Sequence, residues 1–348
     1  MSRTPHSVMI ADIGYGNCKT ILLTQAPEGI VERRWMIPSV VVQTRENLSS
    51  LGSSNIRKIQ VGGTDIYFGP DILDELGGTQ SGMRGAGSHY FESSTYRNLV
   101  IANLCESGLA VIDELVLTLP LDYYETAAKE LKALRGQYEW QENGIFKTTT
   151  VVNVSVQPQA LGALIHYRVL NANVGFEKST RAVLDFGGGT LNFLVAQGYA
   201  GKKLRSGHVD YGVRSMWEDM AKEISRQIQA SGRVAKFENV ALIENAARSG
   251  RDYVSTAFGD FEMASLIKQT HSRLVEKVTE AARKMGDVSD ILEIVLCGGG
   301  AAYIEPAVRE VFPVQKIVCL PEPFFANANG FAMLSRKQMA GRELAHAE

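Results

Sequence analysis

The chain has 348 residues, long enough for two domains at the usual ~100–200 residues each. Its 45% hydrophobic and 21% charged residues are the proportions of a soluble globular protein with a sizeable core. A formal charge of −2 excludes the overall basic character that favours direct nucleic-acid contact. No apolar run approaches the ~18 residues of a membrane-spanning helix.

The polar start Met1-Ser2-Arg3-Thr4-Pro5-His6-Ser7 runs straight into a strand and reads as no secretion signal, which implies a cytoplasmic protein. Residues 7–13 are an apolar strand, and a Gly14-Tyr15-Gly16-Asn17 turn leads into a second strand over 18–23. A third follows over 30–36, continuing through Ile37-Pro38-Ser39-Val40-Val41-Val42, and the basic pair Arg33-Arg34 reads as a solvated edge. Strands over 56–61 and 65–68 flank Gly62-Gly63-Thr64 as a hairpin. Such tight connections make these strands antiparallel, so the first third is not a simple βαβ winding. A short helix over 69–76 precedes a Gly/Ser-rich loop over 77–94.

Further on, 95–106 is helical, 114–119 is a strand stopped by Pro120, and 122–134 is helical again. A hairpin turns at Glu142-Asn143-Gly144 and returns through Val156. Pro158 stands where a helix over 159–169 begins, its missing N–H costing nothing in a first turn. Helices are expected over 211–230, 239–248 and 261–285, the last carrying Leu266, Leu274, Val278 and Met285 on one packed face. Residues 291–297 form a last buried strand, and 324–339 are helical. Cys18, Cys105, Cys297 and Cys319 have no C-x-x-C spacing and read as reduced, buried thiols, neither disulfides nor zinc ligands.

Three glycine turns stand at the ends of buried strands: Asp12-Ile13-Gly14-Tyr15-Gly16-Asn17, Asp185-Phe186-Gly187-Gly188-Gly189-Thr190 and Cys297-Gly298-Gly299-Gly300-Ala301. Asp-Gly pairs also occur in plain hairpins. Here, however, the first two turns both begin with an aspartate and lie 173 positions apart, half the chain, which suggests a duplicated domain. Glycine lets a backbone approach a ligand closely, hairpin N–H groups suit phosphate, and an aspartate beside them suits a hydrated Mg²⁺. The third turn opens a helix near Ala302, which suits the α-phosphate and nucleoside. No G-x-x-x-x-G-K-[ST] loop, no strand–G-x-G-x-x-G–helix unit and no H-E-x-x-H cluster is present.

On these turns the sequence resembles the actin-fold ATPases, the superfamily of actin, sugar kinases and heat-shock chaperone ATPases. Pro38-Ser39-Val40-Val41 is similar to their P-S-V-V segment. Within it the chain resembles the ParM-like bacterial actins of plasmid segregation through the first turn, Leu117-Thr118-Leu119-Pro120-Leu121-Asp122-Tyr123-Tyr124, Gln157-Pro158-Gln159, the second and third turns, and Phe324-Phe325-Ala326-Asn327-Ala328-Asn329-Gly330-Phe331. The resemblance implies an α/β protein of the actin-like ATPase fold, two duplicated ribonuclease-H-like domains around a nucleotide cleft. Domain I would span 1–158, with a C-terminal helix over 326–348 packing back on it, and domain II 159–325.

It further implies ATP, with GTP as the alternative, and Mg²⁺ held through water by Asp12 and Asp185. Gly14, Tyr15, Gly16, Asn17 and Gly187, Gly188, Gly189, Thr190 would wrap the phosphates, and Gly298, Gly299, Gly300 and Ala301 the nucleoside side. Lys19 reaches a β/γ-phosphate if it points into the cleft and is otherwise a surface lysine. Gln159 would position the attacking water beside the catalytic aspartates, with Gln157 as its rival; either could instead cap the helix. Glu244 and Arg248 share a helix face and read equally as a surface ion pair. The implied function is an ATP-dependent filament, polymerising head to tail and hydrolysing ATP in the polymer, for plasmid or DNA segregation. Its partners would be further copies of the chain and a DNA-binding adaptor, with no direct nucleic acid and no membrane. A small-molecule kinase of the same fold and a cell-resident bacterial actin scaffold are the alternatives.

Overall fold

The computed structural model describes residues 6–43, 55–76, 88–171 and 175–344. The chain opens with an antiparallel meander of β1 (Ser7–Ile13), β2 (Asn17–Ala26) and β3 (Gly29–Pro38). All seven residues of β1 are buried, with Val8 to Ala11 an apolar run before Asp12, whereas β3, with Glu32, Arg33 and Arg34, lies at the sheet's edge. β4 (Arg57–Val61) and β5 (Thr64–Phe68) turn at Gly62-Gly63, both at positive φ. Two helices follow, α1 (Ile72–Glu75) and α2 (Ser94–Ser107), the second capped by Ser93, whose hydroxyl accepts the Tyr96 N–H. β6 (Val111–Leu119) stops before Pro120, α3 (Leu121–Lys132) follows, and β7 (Gly136–Glu142) and β8 (Ile145–Pro158) turn at Asn143-Gly144. The sheet runs β3-β2-β1-β6-β8-β7-β4-β5, with β1, β6 and β8 mutually parallel.

After α4 (Leu161–Leu170) the same topology recurs. β9 (Thr180–Phe186) pairs antiparallel with β10 (Leu191–Gln197), which also carries β11 (Ala200–Gly201) and β12 (Gly207–Val209). α5 (Val213–Ala230), α6 (Val240–Arg248), the hairpin of β13 (Tyr253–Thr256) and β14 (Gly259–Glu262) and α7 (Met263–Met285) precede β15 (Ile291–Cys297). α8 (Ala301–Val311), β16 (Lys316–Cys319) and α9 (Ala326–Leu344) complete the chain. The second sheet runs β11-β10-β9-β15-β16, and β9, β15 and β16 are parallel like β1, β6 and β8.

The amphipathic faces of α5, α7 and α8 bury Met216, Met220, Ile224, Leu274, Val278 and Ile304 against the second sheet. Its other face takes Leu164 and Tyr167 of α4 on Val183 and Val295. α9 does the equivalent for the first sheet, setting Phe331, Ala332 and Met339 on Val8, Ile10 and Ile21. α4 and α9 cross at backbone contact, which glycine alone allows: a β-carbon on Gly330 would lie 1.8 Å from the Gly162 carbonyl oxygen, and one on Gly162 2.3 Å from that of Asn327.

Some expected elements differ. The strand expected to continue through 37–42 ends at Pro38, because Ser39 turns its N–H onto the Gly16 carbonyl and only Val42 regains a partner, Tyr67. Of the loop expected over 77–94, residues 77–87 lie outside the described residues, and Ser88–Glu92 form a single 3₁₀ turn. The short strands β12, β13, β14 and β16 carry too few residues for a readable alternation. Three of the cysteines are buried as expected, but Cys319, at the end of edge strand β16, is exposed. Gly330→Ala should lower the unfolding free energy in urea by about 3 kcal/mol, the upper range for overpacking, since the obstacle is the Gly162 backbone and not a movable side chain. An unchanged urea midpoint would contradict the crossing.

Candidate active site

Both sheets end a buried central strand in an aspartate. Asp12 stands one residue from the end of β1 and Asp185 one residue from the end of β9, and both are buried. The turns after them close alike. The Gly14 N–H donates to the Asn17 carbonyl at 3.2 Å and the Gly187 N–H to the Thr190 carbonyl at 2.9 Å. The two turns meet: a β-carbon on Gly188 would lie 3.1 Å from the Gly16 nitrogen. The N–H groups of Gly16 and Gly188 donate to no protein acceptor among the described residues, which leaves them for an anion.

Each turn is held from behind. Ser39, fully buried, donates its hydroxyl to the Gly14 carbonyl at 2.5 Å and its N–H to the Gly16 carbonyl at 3.0 Å. At the second turn, the first N–H groups of α5 do the work, Val213 to the Gly187 carbonyl at 2.9 Å and Arg214 to the Gly188 carbonyl at 3.0 Å. Gly212 permits this docking, since a β-carbon there would lie 2.5 Å from the Gly189 carbonyl carbon.

The carboxylates have different company. Asp12 Oδ1 accepts from Thr118 Oγ1 at 2.6 Å and Gln159 Nε2 at 2.8 Å, and its Oδ2 faces Lys19 Nζ at 3.4 Å. Asp185 Oδ2 accepts from Asn327 Nδ2 at 2.8 Å. Burial pushes the Asp185 carboxyl above its ordinary range, and the nearby Asp12 charge adds to this against the opposing pull of Lys19. Burial alone would lower the Lys19 ammonium, but Asp12 and then Asp185 outweigh it and raise it. Two carboxylates thus share one cation.

These groups line a cleft of about 450 Å³. Asp12, Gly14, Tyr15, Gly16, Asn17, Lys19, Gln159, Asp185, Gly187, Gly188, Thr190, Gly298 and Gly299 all reach it. Gly189, Gly300 and Ala301 do not. Gly189 lies under the Tyr15 ring, where a β-carbon would come within 2.9 Å of Cδ2. Gly300 is a packing glycine against Phe186 and Val213, and Ala301 is a buried first residue of α8. Gly298, at φ +89°, lets the chain pass Asp185, while Gly299 has open space where a side chain would be. Gln157, the rival of Gln159, is not part of the lining. At the far end stand Trp217, Glu244, Arg248 and Tyr303, with Trp217 and Tyr303 edge to face at 5.3 Å between ring centres.

Sequence reasoning gave no role to Ser39, Thr118, Asn192, Gly212 or Asn327. The 173-residue offset could have found one of them: Asn192 sits opposite Asp185 in the β9–β10 register as Lys19 sits opposite Asp12. The donor set suits a hydrated Mg²⁺. It offers two buried carboxylates short of positive charge, and no group of three His, Cys, Asp or Glu among the described residues forms a direct ligand cage.

Residues 11–162 match the family model of the N-terminal domain of actin-like proteins, and residues 183–310 that of the C-terminal domain of the archaeal MreB-like actin homologues. The chain is an actin-like protein. Solved structures sharing this actin-like fold include Ta0583, an archaeal actin homolog, at 20% identity over 95% of this chain and 99% of that chain, with a TM-score of 0.70. The same homolog in complex with ADP matches at a TM-score of 0.65, 20% identity and 93% and 97% coverage. The ParM of a 15-stranded filament from Clostridium botulinum matches at 17% identity over 95% and 99% of the two chains, TM-score 0.68. No curated protein matches the chain in sequence. Among the described residues, no helix of the actin-like chain is long and apolar enough to cross a membrane.

The raised Asp185 carboxyl has a consequence for stability in chelator. Its neutral form is the one the fold favours, so that stability is fully present below the ordinary aspartate range near pH ~4 and is lost as pH rises through the raised value. Asp185→Asn should therefore melt with the parent at low pH and above it at neutral pH. Equal melting temperatures across the range, by calorimetry, would contradict this burial of charge.

Proposed function

We propose that this actin-like protein binds ATP, or alternatively GTP, with Mg²⁺ in the cleft, polymerises head to tail and hydrolyses the nucleotide within the polymer. The observation that carries the reading is the pair of equivalent turns, each with its buried aspartate, brought to one cleft. The ADP complex of Ta0583 and the ParM filament of C. botulinum, both of this fold, support it. Domain I, residues 1–158 with the helix from 326, and domain II, residues 159–325, form the two walls.

Asp12 and Asp185 would hold a hydrated Mg²⁺, which when bound would supply positive charge against the phosphates during transfer. Lys19 faces the β/γ-phosphates. The free N–H groups of Gly16 and Gly188 donate to phosphate oxygens, and Gly299 leaves room on the nucleoside side. Trp217 and Tyr303 form an apolar wall for the base. Gln159 has its Nε2 tied to Asp12, which leaves Oε1 to accept a hydrogen from the attacking water. A glutamine cannot serve as a base; it orients. The water oxygen bonds to the γ-phosphorus as the bond to the β-phosphate oxygen breaks, and the proton leaves with the released phosphate.

A head-to-tail contact joins two different faces and need not close, so it extends into a filament. The net charge of −2 favours reaching DNA through an adaptor protein, and plasmid or DNA segregation is the role this suits. Light scattering and negative-stain microscopy should reveal polymer with ATP and Mg²⁺ and much less with ADP. No nucleotide-dependent polymer over a wide range of protein and salt concentration would overturn the filament reading. Gln159→Ala should slow phosphate release about 100-fold, the cost of misplacing a reactant, while polymer still forms. Unaltered turnover would remove Gln159 from the mechanism.

A further inference from the structure

Asn327, in the first turn of α9, is 5% exposed and uses both ends of its amide. Its Oδ1 accepts the N–H of Ala160 at 2.9 Å and of Ala163 at 3.3 Å, and its Nδ2 donates to Asp185 Oδ2 at 2.8 Å. The partners dictate this orientation, because two backbone donors need the oxygen and a carboxylate needs the NH₂. Ala160 stands at φ +65°, ψ −31°, a conformation that costs a residue with a β-carbon of order 1 kcal/mol or more and persists only where its surroundings hold it. Its neighbour is Gln159, whose amide reaches Asp12. The crossing of α4 over α9 at Gly162 and Gly330 fixes the spacing one turn away.

We propose that Asn327 is a positioning residue that ties the two halves of the site together, holding Asp185 directly and Gln159 through the strained Ala160. This rests on the nucleotide-hydrolysis reading above. From α9, one amide then sets where the carboxylate on the second sheet stands relative to the amide that touches the carboxylate on the first. Loss of its NH₂ would leave Asp185 without that donor, and loss of its oxygen would release the turn that aims Gln159.

A plain helix-capping role makes a different forecast. Aspartate accepts from helix N–H groups as well as asparagine does, so Asn327→Asp keeps the cap while setting a second carboxylate against Asp185. The test uses the full chain as parent, Asn327→Asp and Asn327→Ala. It reads urea unfolding, Mg²⁺ titration of fluorescent-ATP binding, and kcat and KM for ATP. Asn327→Asp should keep the cap but unfold below the parent midpoint at neutral pH, as a like charge beside a buried carboxylate demands, with its Mg²⁺ demand shifted several-fold and kcat down at least ~10-fold at little changed KM for ATP. Asn327→Ala should lose both stability and turnover. Parental Mg²⁺ demand and kcat in Asn327→Asp, with only stability lost in Asn327→Ala, would overturn the proposal. A parent that binds Mg-ATP without hydrolysing it would sink the hydrolysis reading alone, since the Mg²⁺ titration still reads the Asp185 contact; a parent that binds no nucleotide would sink both.

Discussion

Two carboxylates, Asp12 and Asp185, are buried at the mouth of one cleft with Lys19 as the cation between them, and the rest of the site depends on that imbalance. Burial raises the cost of the Asp185 charge, and its like neighbour raises it again. The protein answers with donors on Asp12, where Thr118, Gln159 and Lys19 converge, and with Asn327 on Asp185. The arrangement leaves the Asp185 carboxylate short of positive charge. It becomes favourable when positive charge is added between them, which is the condition under which a nucleotide with its metal would bind.

The duplication explains how a single chain makes such a site. Two sheets of the same strand order each deliver an aspartate, a closed glycine turn and a return strand, and the turns face each other closely enough that Gly16 and Gly188 touch. The copies have diverged where their tasks differ. Lys19 occupies the position opposite Asp12, and Asn192 the position opposite Asp185, so the cation is supplied from one side only. The first sheet is widened by β7, β4 and β5, whereas the second gives its space to α5, α6 and α8, which build the far end of the cleft.

α4 and α9 join the halves. Each covers one sheet, and their glycine crossing leaves no side chains between the two backbones. A contact that tight has little room to slide, so the start of α4, with Gln159 just before it, and the start of α9, with Asn327, are set relative to each other as one piece. A motion that opens the cleft would have to bend elsewhere or break the bond between Asn327 and Asp185.

Much of this was legible in the sequence because it is local. The apolar runs of β1, β9 and β15, the aspartates at their ends, the glycine turns and the long face of α7 are properties of neighbours in the chain, and repetition at a fixed offset betrays the duplication. Gln159 was readable beside Pro158, with helix capping as an alternative until its amide was placed on Asp12. What the tertiary structure alone decided is which glycines face the cleft and which merely pack: Gly299 is open, whereas Gly189 lies under Tyr15 and Gly300 against Phe186. Only the fold, likewise, could bring Ser39 to the first turn, Thr118 to Asp12 and Asn327 to Asp185, across separations as large as 142 residues. Strand periodicity and turn chemistry are written in adjacent residues. A hydrogen bond between distant ones depends on how sheets and helices stack, and nothing in the local pattern encodes that distance.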